Sequence, residues 1–394
     1  MATHVLQLVF LGDTGFKFPI AHFPTTEITA PELFDIFWRC VGLLKDWQFN
    51  VNYGCFDGAS SNRSFVKLHF KNTHPKELQF TVPNIYDSNK EMTFIFDPSH
   101  EFKKIRNNIL KSSRRQGPRH LVHGDHDIIW HHWVRAYEWD LNTNPVRIHF
   151  KLTEEHLHPD QTAKMRNHLA EEVLNKDMLY LMLAYQKSLP TEIDRWHLNK
   201  TIELLEQTSQ LIDNFRDLRP IKEYDDTRLH ENMNILRWFS DWEATVMDDD
   251  SMSPEEKKRS LLSKETRDDL ISLILGFDRL CKNKLGQCRG GYIIPGRVNS
   301  DIVENIFCSQ RSMSNGGCTN PNYTQYGKSI NTIILTQGIL SKKSNVKVVN
   351  KSGYSALPYH MHTGEPLKPS KKRKIHLLSK ICNAKKININ RQWR

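Results

Sequence analysis

Hydrophobic and polar positions along this chain mark out short strands first and long helices later. Residues 4–11 form an apolar run of strand length, Gly12-Asp13-Thr14-Gly15 reads as a turn, and residues 16–23 as a second strand. Asp13 belongs to that turn and is read as turn chemistry. Thr29-Ala30-Pro31-Glu32 has the spacing of a capping box with proline in the first turn. Leu33, Phe34, Phe37, Val41 and Leu44 continue it as one apolar stripe to about Lys45. Residues 49–56 alternate loosely and stop at Asp57-Gly58, the pattern of a strand, a tight turn and a helix start. Residues 92–96 form another strand, ending at Asp97-Pro98-Ser99-His100. The helix after it carries Lys103, Lys104, Arg106 and Lys111, a basic face that is either solvated or laid on phosphates.

Beyond Ser112 the period changes. Residues 113–290 contain almost no strand-like run, and helices are expected over 161–189, 198–216, 227–246 and 263–284. Residues 247–256 read as an acidic loop. His120, His123, His126, His131 and His132 crowd one segment, but no cysteine lies nearby and their spacing fits no common zinc pattern. Trp130 and Trp133 point instead to a packed amphipathic helix. A final helix opens at Asn299 or Ser300, either of which can cap it. Asp301 and Glu304 share one face, and Ile302, Ile306 and Phe307 form the apolar seat. Two acids in a first turn have an ordinary cause in the helix dipole. They also have the form of metal-ligating carboxylates, as does Asp57 at the end of an inner strand, where open α/β sheets bind ligands. For Asp57 the plain alternative is an Asp-Gly turn.

Composition bounds the class. The 394 residues suffice for two or three domains with a buried core. No run is long and apolar enough to span a bilayer, so no membrane partner is expected. No basic n-region opens the chain, so no signal peptide is expected. Seven scattered cysteines without a CxxC pair fit a reducing compartment. The net charge of +10 is local: residues 367–394 hold ten Lys or Arg and no acid, leaving 45 basic and 45 acidic residues before them. Such a tail suits nucleic acid or an import receptor, and Lys371-Lys372-Arg373-Lys374 resembles a nuclear-import cluster, so the nucleus is the expected location.

Several segments, in order, resemble the P-element transposase family, including the THAP-domain transposases. They are Asp57-Gly58-Ala59-Ser60-Ser61-Asn62-Arg63; Asp97-Pro98-Ser99-His100 with Lys103-Lys104-Ile105-Arg106-Asn107-Asn108; Lys151-Leu152-Thr153-Glu154-Glu155-His156 with Lys164-Met165; Leu262-Ser263-Lys264-Glu265-Thr266; Ser300-Asp301-Ile302-Val303-Glu304-Asn305-Ile306-Phe307; and Gly317-Cys318-Thr319-Asn320-Pro321-Asn322. The resemblance covers roughly residues 5–335.

The resemblance implies an α/β fold: an RNase H-like domain interrupted by a mostly α-helical, GTP-binding insertion. The boundaries would be 1–112 and 291–340 for the RNase H-like parts, 113–290 for the insertion, and 341–394 for a basic, disordered tail. It implies DNA strand cleavage and transfer with two Mg²⁺ ions, with Asp57 and Glu304 as metal ligands and Asp301 as an acid of the same site. GTP contacts would fall on Lys151, on Arg166, Asn167 and His168, and on Asp213. Where the family tends to have a basic residue followed by Val-Asn, this chain has Arg166-Asn167-His168. No GxxxxGK[ST] loop is present, which argues against a P-loop NTPase. In the family the first acid lies on a strand upstream of the segment resembling residues 5–10, and no acidic residue precedes Asp13 here. The RNase H-like sheet is therefore expected to be incomplete, with its first strand absent. The functional expectation is a truncated copy or fragment of a transposase. The alternative is a catalytically inactive, domesticated nuclear DNA-binding or regulatory protein. DNA is the expected partner, and a homo-oligomer is left open.

Overall fold

The computed structural model describes residues 4–13, 15–70, 73–74, 77–114, 117–287, 290–313 and 322–337. The basic tail, the Lys371–Lys374 cluster and residues 317–321 of the last matching segment lie outside them.

Strands β1 (His4–Leu11) and β2 (Lys17–Thr25) form the expected antiparallel hairpin, with a register shift between Leu8 and Val9. Helix α1 (Ala30–Asp46) begins with the full capping box: Thr29 N donates to Glu32 at 2.9 Å and Glu32 N donates back to the Thr29 hydroxyl. Strand β3 (Tyr53–Phe56) is shorter than the sequence pattern, because the chain leaves α1 through Gln48 at φ 64° and Phe49 turns to pack on Phe10. Helix α2 (Ser60–Leu68), β4 (Thr81–Asn84) and β5 (Asp87–Phe96) follow. The sheet order is β3-β5-β4, with β3 parallel and β4 antiparallel to β5. Strand β4 escapes the sequence pattern because it is short and carries Pro83, which is tolerated on this edge.

Helix α3 (Pro98–Leu110) leads into the helical block. The block opens with a small hairpin, β6 (Leu121–His123) and β7 (His126–Ile128), turned through Gly124 at φ 59°. It holds His120, His123 and His126 on or beside strands. Only His131 and His132 lie on α4 (His131–Thr143), so the single packed helix expected for this segment is corrected. Trp130 and Trp133 are buried and stacked, with ring centroids 5.6 Å apart.

The block continues through α5 (Glu154–Leu157), α6 (Asn167–Glu172), α7 (Lys176–Ser188), α8 (Glu192–His197), α9 (Asn199–Arg216), α10 (Thr227–Met247), α11 (Pro254–Ser260) and α12 (Lys264–Gln287). The helix expected over 161–189 is broken at residues 173–175, where Asn175 caps α7 by accepting from Met178 N. The acidic stretch expected as loop contains the start of α11, because Ser253 and Glu256 make a capping box. The chain ends its described part with α13 (Asp301–Met313) and α14 (Tyr323–Gln337).

One apolar core runs from Leu33 to Val298 and surrounds β5, where Phe94 and Ile95 are fully buried. Helix α12 lies directly on that strand. A Cβ at Gly276 would stand 2.8 Å from the Phe94 carbonyl oxygen, so only glycine permits this approach. Helix α13 rests on a smaller cluster of Ile302, Ile306 and Ile330, with Val9 against it. Ladder hydrogen bonds do not join the β1-β2 and β3-β5-β4 sheets. Between them, beside Leu11 and Tyr53, lies a cavity of about 30 Å³, room for little more than a water. Its rim includes Asp13, held by Lys284 at its carboxylate and by Arg297 at its carbonyl. Among the described residues no helix is long and apolar enough to cross a membrane.

Candidate functional site

The sheet delivers two aspartates to one corner. Asp57 follows β3 and Asp97 follows β5, and because these strands are parallel both carboxylates emerge at the same end. Asp57 Oδ1 accepts from Ala59 N at 3.0 Å and from Asn62 Nδ2 at 2.7 Å. The side chain thus makes the Asx turn expected of an Asp-Gly corner while standing in the crevice. Gly58 is forced by its neighbours: a Cβ there would lie 2.6 Å from Asp269 Oδ2 and 2.7 Å from Lys104 Cε. Behind it, Asp269 is fully buried between a forked Arg63 (Nε and Nη2, 2.9 and 2.8 Å) and Lys104, and Lys104 also reaches Glu101 at 3.0 Å. Burial holds the Glu101 carboxyl above its usual range.

Asp97 is buried and fully used. One oxygen caps α3 by accepting from Ser99 N at 2.7 Å, and the other accepts from Ser300 N at 2.9 Å and from the Ser300 hydroxyl. It therefore ties the start of α3 to the start of α13. Asn299 Oδ1 accepts from Asp301 N, completing the turn into the helix.

On the first turn of α13, Asp301 and Glu304 both face α3, as their three-residue spacing requires. Asp301 accepts from Ser99 Oγ at 3.3 Å and from Arg216 Nη1 at 3.2 Å. Glu304 bonds His100 Nε2 at 2.9 Å. Burial raises the Asp301 carboxyl above its ordinary value; Arg216 opposes this, and the negative charge of Asp97 adds to it. For His100, burial works downward, but the bond to Glu304 and the nearby Asp97 outweigh it and hold the imidazole above its ordinary value. The Lys103 ammonium is lowered by burial, against the pull of Glu304, Asp97 and Asp57. Burial, then Asp97, Asp301 and Asp57, push the Cys55 thiol well up. Four carboxylates therefore share one electrostatic neighbourhood with Lys103, His100 and Arg216.

The basic face expected on α3 is corrected. Arg106 is fully buried, Lys104 belongs to the Asp269 network and Lys103 donates to the Met165 carbonyl at 3.4 Å, leaving Lys111 exposed. Sequence reasoning named Asp57, Asp301 and Glu304. It passed over Asp97, His100 and Lys103 as motif letters and missed Arg216 and Glu171. A strand ending in Asp before a helix-opening Pro was the available signal for Asp97. Nothing local marks Arg216.

The carboxylate oxygens are hard donors of the kind Mg²⁺ prefers. Each of the four side chains, however, is already bonded to protein donors. Among the described residues no group of three or more His, Cys, Asp or Glu side chains is placed to hold a metal ion. As arranged here, Asp57 Oδ1 and Glu304 Oε1 are engaged with protein partners rather than gathered around an ion.

The residues expected around GTP divide. Lys151 Nζ stands 3.9 Å from Asp177, and Asp213 bonds Lys176 at 2.5 Å, so both meet the first turn of α7. Arg166 pairs with Glu155 at 2.8 Å. Asn167 opens α6 with its Oδ1 buried and lacking a hydrogen-bond donor, and His168 is exposed. Half-exposed pairs such as these are weak and readily displaced.

No protein-family model matches the chain, and no curated protein matches it. Among solved structures it is similar to the Drosophila P element transposase strand transfer complex, with a TM-score of 0.68 and 19% identity, over 85% of this chain and 70% of that one. At that identity the likeness is one of fold: a mixed α/β chain arranged like a P element transposase.

Proposed function

We infer that the chain is a transposase-fold DNA-binding protein that does not cleave DNA by itself. The DNA half of this reading is supported by the likeness in fold and by the charge of the tail, ten basic residues against no acid in residues 367–394. The non-cleaving half is carried by one observation: each acid at the corner of β3, β5 and α13 is already held by protein donors. Under this reading the core is an RNase H-like sheet carrying a helical insertion, and the protein works in the nucleus. Phosphate contacts through the tail give affinity that is sequence-tolerant and falls steeply with salt.

The test is a DNA titration across a salt series with the whole chain and with a version ending at Pro366. The shorter chain is expected to bind more weakly and with a shallower salt slope, by about 0.9 for each phosphate the tail would have neutralised. Equal affinity and slope would remove the tail from the mechanism. No binding by the whole chain at low salt would remove the function.

The strand-transfer reading, with Asp57 and Glu304 as metal ligands and Mg²⁺ as cofactor, is favoured by the placement of Asp57 at the end of a parallel strand, facing the corner Glu304 enters. For GTP, Lys151, Arg166, Asn167, His168 and Asp213 are the residues to contact it, with the Asp213 carboxylate suited to the guanine edge. A GTP-specific rise in melting temperature, absent in Asp213→Ala, is the expected sign of that site. The same rise with ATP would sink it.

A further inference from the structure

Arg216 is the last residue of α9, deep in the sequence of the helical block, yet its side chain ends at the acidic corner. Its guanidinium bonds three groups on three different elements. Nε donates to Glu171 Oε2 on α6 at 3.1 Å, and Nη2 also reaches Glu171. Nη1 donates to Asp301 Oδ2 on α13 at 3.2 Å. Nη2 donates to Ser99 Oγ on α3 at 2.9 Å, and that same hydroxyl donates to Asp301. A planar fork with five N–H donors can serve three partners at once; an ammonium cannot hold this geometry.

The backbone around it reinforces the grip. Asp217 O accepts from Gly296 N at 2.9 Å, and Ile221 and Ile293 exchange backbone hydrogen bonds at 2.7 and 3.0 Å. The segment leaving Arg216 is thereby laced to the segment that leads into α13. A Cβ on Gly296 would sit 3.1 Å from Asp217 O and 3.2 Å from Arg216 O, so the two backbones nearly touch. A cation at the C-terminal end of α9 is also where the helix dipole favours one.

We propose that Arg216 is the built-in counter-ion of this corner: the helical block supplies as a fixed guanidinium the positive charge a divalent ion would bring, and so positions the first turn of α13. Arg216 is a positioning residue, acting on Glu304 through Asp301 and the helix they share. Glu171 joins Asp57, Asp97, Asp301 and Glu304, so five carboxylates gather at the corner. Without Arg216, Glu171 and Asp301 would face one another uncompensated, and the corner would become receptive to an added cation. The inference rests on reading Asp57, Asp301 and Glu304 as the acids of a transposase-type corner.

The experiment uses the whole chain, free of nucleic acid, with Mn²⁺ followed by electron paramagnetic resonance, Mg²⁺ by thermal melting, and hydrogen exchange read on residues 299–307. The wild type is expected to bind no Mn²⁺ and to melt at the same temperature in millimolar Mg²⁺ as in chelator. Arg216→Gln is expected to melt lower, to exchange about tenfold faster across 299–307, and to recover part of its loss on adding Mg²⁺. Arg216→Lys keeps the charge but not the fork, and is expected to stay indifferent to Mg²⁺ while exchanging faster than wild type. Stoichiometric Mn²⁺ binding by the wild type, lost in Asp301→Asn, would overturn the proposal. So would an Arg216→Gln protein whose exchange is unchanged, or one that loosens without responding to Mg²⁺. Should Arg216→Gln fail to fold, Glu171→Gln carries the exchange test and the wild-type Mn²⁺ measurement decides the counter-ion. None of these readouts involves DNA, so a failure of the DNA-binding function leaves them standing, and the reverse.

Discussion

Single residues at the corner of β3, β5 and α13 do two jobs each. Asp57 makes a turn and faces the crevice, and Asp97 caps one helix while clipping another. The local half of each role is legible in the sequence, because an Asx turn and a Pro-preceded cap depend on neighbours one to three residues away. The other half is tertiary: Asp97 clips Ser300, 203 residues away, and no spacing rule reaches it. The buried histidines show the same division. Five histidines close together read as packing and not as a zinc site, and His132 lies buried beside Thr201, its Nδ1 2.7 Å from the hydroxyl. Burial pushes its imidazole down to about 4 from an ordinary 6.5. Above 6.5 it is neutral folded or unfolded and costs nothing. As pH falls below 6.5 the unfolded chain takes up the proton first, so stability is lost between 6.5 and about 4, by about 3 kcal/mol at the lower end. His123, also pushed down to about 4 by burial, adds loss in the same window. His100 works in the opposite sense: its raised value gives stability below 6.5 that fades as pH rises through it. Urea unfolding at a series of pH values should show the acid loss, and His132→Gln should flatten part of it. An unchanged profile in that variant would show that His132 is not its source.

At the level of elements, those with local signals are the ones the sequence reveals. The capping box of α1, the hairpin β1-β2, and α9, α10 and α12 stand where periodicity and caps put them, within a few residues at their ends. The elements that escaped have no such signal. Strand β4 has four residues and a proline, β6 and β7 have three residues each, and the break between α6 and α7 is fixed by an asparagine cap inside an apolar run. Sheet order is beyond any pattern, since the pairing of β3 with β5 is a matter of tertiary structure. Helix α13 is the informative case. Its apolar seat was readable as Ile302, Ile306 and Phe307, and the first two are buried, against Ile330 and Val9. What it sits on was not readable. Because this seat is small and separate from the main core, Ile306→Ala should cost about 2–5 kcal/mol and loosen the acids of the first turn along with the helix. Hydrogen exchange in α13 rising in that variant while α12 stays protected is the expected result. A uniform loss across both helices would mean that α13 is not an independently seated element.

The molecule as a whole combines a P element transposase-like fold with a corner of acids bonded to its own donors and cations. The net positive charge lies in the tail, and the 45 basic and 45 acidic residues before it balance. DNA affinity is therefore expected from the tail's phosphate contacts, while the corner keeps its carboxylates engaged with His100, Asn62, the Ser99 and Ser300 hydroxyls and Arg216. On this reading the protein binds DNA without cutting it. The most direct measurement is nicking of supercoiled DNA by the whole chain in Mg²⁺ and in Mn²⁺, beside Asp57→Ala and Glu304→Ala. The wild type is expected to show no metal-dependent nicking above the level of either variant. Robust nicking by the wild type, abolished in both variants, would contradict it and make the corner a working strand-cleavage site.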